Sequence, residues 1–214
     1  MMEEKISLSP NRCRRTELIA YLAGLVASDG HIDKNSNRIE IATSNKRFAG
    51  IVYTLLQKVT CNPPHIYQHS SAYTVEVWDE KLCKTLTTKF KIPRGKKSDV
   101  LNCPEIFSTS EISNFIRGFC DGDSSPHYRR MRNKLVPRIR IMSTSKSILE
   151  WIRNQLKKLN IGCSSPFMDM PHGFGCKVCW RIEIYGNNVK TFVKKVGYLH
   201  PEKKEKLDKL LLLS

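Results

Sequence analysis

The sequence predicts an α+β protein made of two pseudo-symmetric halves, each running helix, two strands, helix, two strands, helix. Three repeated pairs of segments predict it. "RIEIATSNKRFAGIVYTLLQKV" from Arg38 matches "RIRIMSTSKSILEWIRNQLKKL" from Arg138, 100 residues further on. "YTVEVWDEKLCKTL" from Tyr73 and "WRIEIYGNNVKTFV" from Trp180 follow them in the same order. "YLAGLVASDG" from Tyr21 and "FIRGFCDGDS" from Phe115 precede them. Repetition in a fixed order is the mark of a duplicated unit, and two such units imply a molecule with an internal two-fold relation.

Each element has a local reason. The apolar runs 18–30 and 112–124 read as helices. Arg-Ile-Glu-Ile and Arg-Ile-Arg-Ile alternate with the strand period of two. Thr43 and Ser44, and Ser143, Thr144 and Ser145, supply the hydroxyl residues expected at helix caps. Ile51, Leu55 and Val59, then Ile148, Ile152 and Leu159, recur at helical spacing. "SPHYRRMRNKL" reads as a hairpin. The break between halves falls in the turn-rich "GKKSDVLNCPEIFSTSE", with Pro104 and a predicted cap at Ser110 before Glu111. The expected units are residues 1–105 and 106–214. "IPRGKKSD" and "LHPEKKEK" keep the offset of the preceding strands, which aligns Lys96 with Lys203 and Lys97 with Lys204.

The chain of 214 residues carries 36 Lys and Arg against 20 Asp and Glu, a net charge of +16. So large a surplus fits a polyanionic partner, and nucleic acid above all, because neutralising phosphates takes many spread cations. No apolar stretch approaches the roughly 18 residues of a membrane span. "MMEEKISLSPNRCRR" lacks the apolar stretch of a secretory signal, and its two glutamates argue against a transit peptide. The eight cysteines do not form the dense framework of a small secreted domain. Cys83 and Cys120 sit in apolar runs and read as buried thiols. Cys176 and Cys179 form a lone pair without the second pair that a structural zinc site needs, so no zinc is expected. The expected setting is intracellular: cytoplasmic in a prokaryote, otherwise organelle or nucleus.

The apolar helix of 18–30 ends in Asp29, an unfavourable residue beside the negative end of the helix dipole. Gly24 and Ser28, and Gly118 and Gly122, lie four apart and so share a helix face. Each helix therefore has a nearly bare strip, and matched strips point to close backbone approach. Leu22, Leu25 and Val26, with Phe115, Ile116 and Phe119, supply core. Facing strips would set Asp29 beside Asp123 at two negative helix ends. A divalent cation relieves that repulsion, and carboxylates, free terminal carbonyls and water are the ligands Mg²⁺ takes.

These residues also carry a resemblance. "LAGLVASDG" is similar to the motif that names the LAGLIDADG homing endonucleases, and "IRGFCDGDS" to its second copy. The resemblance implies a two-repeat monomer with motif helices packed at the centre and each curved antiparallel sheet forming half of a DNA-binding saddle. It implies cleavage of both strands of a long asymmetric duplex site, leaving short 3′ overhangs, with Mg²⁺ as cofactor and Mn²⁺ or Ca²⁺ substituting in binding. By position, Asp29 and Asp123 are the metal-binding acids, assisted by the carbonyls of Ser28 and Gly122. Lys97 and either Lys203 or Lys204 are the ammonium candidates, since the family places a lysine of this turn near the metals. Ser124 stands where the family has glycine, and Arg117 where it has a small residue. Asp121, two residues before Asp123, is out of register with Asp29.

The strands are expected to read the duplex. Arg138, Arg140 and Met142 share one face of a strand, and Ile139 and Ile141 the other. A two-stranded ribbon fits the major groove, where arginine can donate two bonds to one guanine. Tyr128, Arg129, Arg130, Arg132 and Lys134 join them from the hairpin. Lys34, Arg38, Glu40 and Arg47 occupy comparable places in the first half. Gln68, His69 and Tyr73, and Lys177 and Arg181, are the expected contacts of the outer hairpins. The resemblance leaves two rivals: an RNA-binding intron maturase of the same fold, and a DNA-binding protein that does not cut. The second would be expected to have lost an acid, and both are present. Intein splicing is not expected, because no splicing segment flanks the repeats.

Overall fold

The computed structural model describes residues 14–97, 100–131, 134–169 and 178–212. The first half runs α1 (Arg15–Ser28), β1 (Gly30–Ile32), β2 (Arg38–Thr43), α2 (Lys46–Val59), β3 (His65–His69), β4 (Ala72–Trp78) and α3 (Glu80–Thr88). The second runs α4 (Thr109–Asp123), β5 (Ser124–Met131), β6 (Lys134–Ser143), α5 (Lys146–Lys158), β7 (Phe167–Asp169), β8 (Cys179–Tyr185), α6 (Asn187–Lys195) and α7 (Pro201–Leu212). Two four-stranded antiparallel sheets have the orders β1-β2-β4-β3 and β5-β6-β8-β7. The repeat of sequence is thus a repeat of topology.

Strand alternation sorts each sheet into two faces. Ile39, Ile41, Val75 and Val77 are buried beneath helices in one, and Ile139, Ile141, Ile182 and Ile184 in the other. Their neighbours point to the opposite, open face. There Arg38 pairs across strands with Trp78 and Glu40 with Glu76. In the second sheet Arg138 pairs with Tyr185 and Arg140 with Glu183. α1 lies at the centre and is apolar all round: Leu18 and every residue from Ala20 to Ser28 are buried. A helix with no polar side needs cover on every side, and α4 and the first sheet provide it.

Three local expectations change. Asn45, not Thr43 or Ser44, caps α2, its side chain accepting from Phe48 N at 2.8 Å, while Thr43 Oγ1 accepts from Asn45 N. α4 begins at Thr109 with Ser108 at the cap, two residues earlier than Ser110 implied, and the two serine hydroxyls bond each other at 2.9 Å. The second half also has an extra helix, α7, where the first half has a loop. α7 returns to the first half: Asn45 donates to Glu202 at 2.6 Å, Arg47 pairs with Glu205 at 3.1 Å, and the Phe48 ring packs, tilted, against His200 just before α7.

Candidate functional site

The site forms where the C-terminal ends of α1 and α4 meet. The two helices touch backbone to backbone. A Cβ on Gly24 would lie 1.9 Å from the Phe115 carbonyl oxygen, and one on Gly118 would lie 1.9 Å from that of Tyr21. One turn on, a Cβ on Gly122 would lie 2.0 Å from Ser28 Oγ and 3.1 Å from Asp29 Cγ. The bare Gly122 leaves room for the Ser28 hydroxyl, which bonds back to Leu25 O. Asp29 of the first half therefore rests against the last turn of α4, beside Asp123.

Crowding shows in the acidities. Burial first, and then the charge of Asp29, pushes the Asp123 carboxyl up to about 6, while the ammoniums of Lys97 and Lys203 pull it back. Asp29 is raised too, by desolvation, against the same two lysines. Lys97 Nζ donates to the carbonyls of Val26 at 2.7 Å, Gly30 at 2.6 Å and Ser28. Lys203 Nζ donates to Cys120 O at 3.1 Å and Gly122 O at 2.5 Å. Each lysine thus fills the unpaired carbonyls of one helix end and answers its negative pole. That offsets the unfavourable acid at each terminus. Burial lowers both ammoniums, Lys97 to about 8.

The pair is Lys97 and Lys203, not Lys97 and Lys204. Lys97 hangs from a loop and Lys203 from the first turn of α7, and that difference in backbone shifts the alignment by one residue. Lys204 is exposed. The Lys97 loop is held by Gly95 N donating to Ile32 O at 2.7 Å and by Arg94 bonding Ser36 O and Asn37. Gly95 has φ 73°, a left-handed conformation open to glycine. The Lys203 helix is held by Asp121, which accepts from Leu199 N, His200 N and Tyr21 OH. Asp121 is 1 % exposed and fully engaged, so it ties the interface together and leaves Asp123 as the acid facing Asp29. Ser124 replaces a terminal glycine without disturbing the helix end: its hydroxyl bonds Cys120 O and Tyr198 OH.

Asp123, Lys97 and Ser28 line a cleft of about 460 Å³ whose other wall is Ser125, Met142, Thr144 and Cys179. Ser125 and Met142 belong to the open face of the second sheet, by their pairing with Arg140 and Arg181. In the first half His31, two residues after Asp29, pairs with Glu40 on the open face of that sheet. Both open faces therefore lead to the acids.

Alternation then divides the predicted contact residues. Arg38, Glu40 and His69 lie on the first open face, and Arg129, Lys134, Arg138, Arg140 and Arg181 on the second. Lys34 is exposed in the β1–β2 turn. Gln68, Tyr73, Tyr128 and Arg130 point to the helix side, one residue out of phase with these, and Tyr73 packs on the core. Arg47 sits on α2 in its pair with Glu205. Arg132, Lys177 and Cys176 lie outside the described residues. Glu76 and Glu183, absent from the predicted set, stand in the middle of the two open faces. The alternation of "VEVW" and "IEIY" carried the signal.

Among the described residues no group of three or more His, Cys, Asp and Glu side chains could hold a metal. Two adjacent carboxylates with helix-end carbonyls are instead the oxygen donor types that a hard divalent cation would take. The carbonyls of Ser28 and Gly122 already accept from lysine, and each keeps a second lone pair. No helix among the described residues is long and apolar enough to cross a membrane.

Comparison with known proteins agrees with the repeat. The family described as LAGLIDADG-like domain matches residues 16–81 and 110–197. The crystal structure of the homing endonuclease I-DmoI with DNA and Mn superposes on 86% of this chain and 98% of that one, with TM-score 0.59 and 17% identity. The N-terminal LAGLIDADG domain of WhiA covers 97% of this chain and 92% of that one, with TM-score 0.61 and 16% identity. Two curated proteins of Methanocaldococcus jannaschii also match. They are a probable translation initiation factor, 24% identical over 97% of this chain, and a replication factor C small subunit, 27% identical over 92%. The chain spans only 18% and 10% of their lengths. With both motif helices, both sheets and the matched segments in register, the chain belongs to the LAGLIDADG-like domain family.

Proposed function

We propose that this protein is a site-specific endonuclease that hydrolyses both strands of a long duplex DNA target, acting as a monomer. The observation that carries this reading is the placement of Asp29 and Asp123 together at the paired helix ends, over two half-buried lysines, where both open sheet faces converge. Asp29 and Asp123 would hold divalent metal, with Mg²⁺ the natural ion, and the carbonyls of Ser28 and Gly122 are within the same turn to assist. A metal held by these residues would supply Lewis-acid stabilisation of phosphate charge and a water made acidic enough to attack. Lys97 and Lys203 hold positive charge beneath the position of the scissile phosphates, where it offsets the charge that develops there. The open faces supply register and base contacts, and the net charge of +16 supplies phosphate affinity.

The I-DmoI structures with DNA and divalent metals support the reading. So does the occurrence of a matching segment inside two long proteins of unrelated name, as expected of a module whose work is independent of its host. The match to the WhiA domain favours a second reading, a DNA-binding module that does not cut. Incubation with a randomised duplex library and Mg²⁺, followed by end sequencing, separates the two. Discrete double-strand ends from the wild type, lost in Asp29→Asn and in Asp123→Asn, are expected. Intact DNA that is nonetheless bound would establish the second reading instead.

A further inference from the structure

The open faces hold a repeated arrangement that simple phosphate binding does not explain. In the second sheet the Glu183 carboxylate takes two arginines: Arg138 Nη1 at 2.5 Å from Oε2 and Arg140 Nε at 3.7 Å from Oε1. The Arg138 guanidinium also lies 5.6 Å over the ring of Tyr185. In the first sheet Arg38 is held by three carboxylates, Glu40 at 3.1 Å, Glu76 at 3.6 Å and Asp33 at 3.7 Å, and its guanidinium lies 6.0 Å over Trp78. The two triads occupy equivalent places, since Arg38 faces Trp78 across β2 and β4 as Arg138 faces Tyr185 across β6 and β8. Glu76 is 9% exposed and Glu183 8%.

A carboxylate in the floor of a phosphate-binding surface weakens affinity for any duplex. Its presence at matched positions in both halves argues for a gain elsewhere. An arginine fixed by a carboxylate on one side and a ring on the other has already lost its rotamer freedom, and its remaining donors keep one direction. Such an arginine suits the paired acceptors of a guanine edge, which demand a fixed fork. Arg138 and Arg140 are two residues apart along β6, about 6.6 Å, which is close to two base steps at about 3.4 Å each.

Resting on the reading that these faces bind duplex DNA, we infer that Glu76 and Glu183 are positioning residues that set base specificity, each aiming the arginines of its own sheet at guanine. Glu183 serves two guanines spaced two base pairs apart in one half of the target. Glu76 serves one in the other half, because Glu40 stands where the second sheet has Arg140.

The test is selection of bound duplexes from a randomised library in Ca²⁺, with the full chain as wild type, Glu183→Gln and Glu76→Gln. The wild type is expected to enrich guanine at two positions two base pairs apart on one side, and at one on the other. Glu183→Gln is expected to lower the first preference tenfold or more while leaving the other side intact, and Glu76→Gln to do the reverse. Binding of non-specific DNA at low salt stays equal or tightens. Each variant controls for the folding of the other, since a partly unfolded chain loses both sides. Retention of both guanine preferences in Glu183→Gln, or a uniform loss of affinity for all sequences, would overturn the inference. Specific binding by the wild type without cleavage in Mg²⁺ would refute the nuclease and leave this inference standing, whereas binding without any base preference would refute it.

Discussion

Replacing Gly118 with alanine adds one methyl group where the structure has no space for it. The new Cβ would stand 1.9 Å from the Tyr21 carbonyl oxygen, with Leu25 N at 2.9 Å. Both obstacles are backbone, so no side chain can turn aside. To reach a contact that real Cβ atoms show, α1 and α4 must part by about 1 Å through a close-packed centre. Overpacked cores cost about 1–3 kcal/mol when side chains can yield, so here the cost is expected at about 3 kcal/mol or more. In a chain of this length that lowers Tm by about 6–12 °C. The separation also moves Asp123 away from Asp29, and a displacement of about 1 Å is enough to slow a positioned reaction about 100-fold. Gly50 is the internal control: it lies in α2 with nothing within 4 Å of its missing Cβ. Gly50→Ala is expected to stabilise by about 0.5–1 kcal/mol, the ordinary helical preference of alanine. Calorimetric melting of both variants, with single-turnover cleavage, makes the comparison. A Gly118→Ala protein that melts with the wild type and cuts at its rate would refute the claim that the helices meet through bare backbone.

Asp123→Asn is expected to stabilise the metal-free protein at pH 7. The folded acid titrates at about 6 against the usual 3.8, so the native state binds the proton more tightly and loses that advantage as pH rises from about 4 to 6. At about 1.4 kcal/mol per unit, trimmed for partial exposure, the gain is about 1–3 kcal/mol, absent at pH 4; equal melting of the two proteins at pH 7 would contradict it. Tyr21→Phe removes a 2.7 Å bond to buried Asp121 and is expected to cost about 1.5–3 kcal/mol in denaturant unfolding. Lys97→Met is expected to slow cleavage tenfold or more with DNA affinity nearly unchanged, by rate measurement beside a binding titration; an unchanged rate would remove Lys97 from the chemistry. Affinity for duplex DNA is expected to fall steeply and linearly with log salt, and a flat response would show that the +16 charge lies off the binding face.

The element order of each half was legible because periodicity is local: alternation at Arg38–Ile41 and Arg138–Ile141, and helical spacing behind each, need no distant partner to be seen. The bare strips at Gly24 and Gly118 were legible too, since two helices with glycine at matched positions have one shared reason for it. The phase of the outer strands was harder. Gln68 and His69 are neighbours in sequence, and only the side on which the helices pack tells which of them reaches the open face. Glu76 and Glu183 were overlooked because acids argue against a DNA surface until their arginine partners are known. Asp121 was separable from Asp123 by register alone, but its three donors come from Tyr21, Leu199 and His200, far apart in the chain.

Composition and repeats alone determined a basic, duplicated α+β protein with one acid at the end of each motif helix, because those properties are written in residue type and spacing. Contact between distant segments decided the rest. Lys203 rather than Lys204 reaches the helix carbonyls because α7 enters at a particular angle, and Arg47 is taken by Glu205 because α7 crosses to the first half. Spacing along a chain specifies direction only within one element. Where two elements meet, the packing of both sets which side chain arrives.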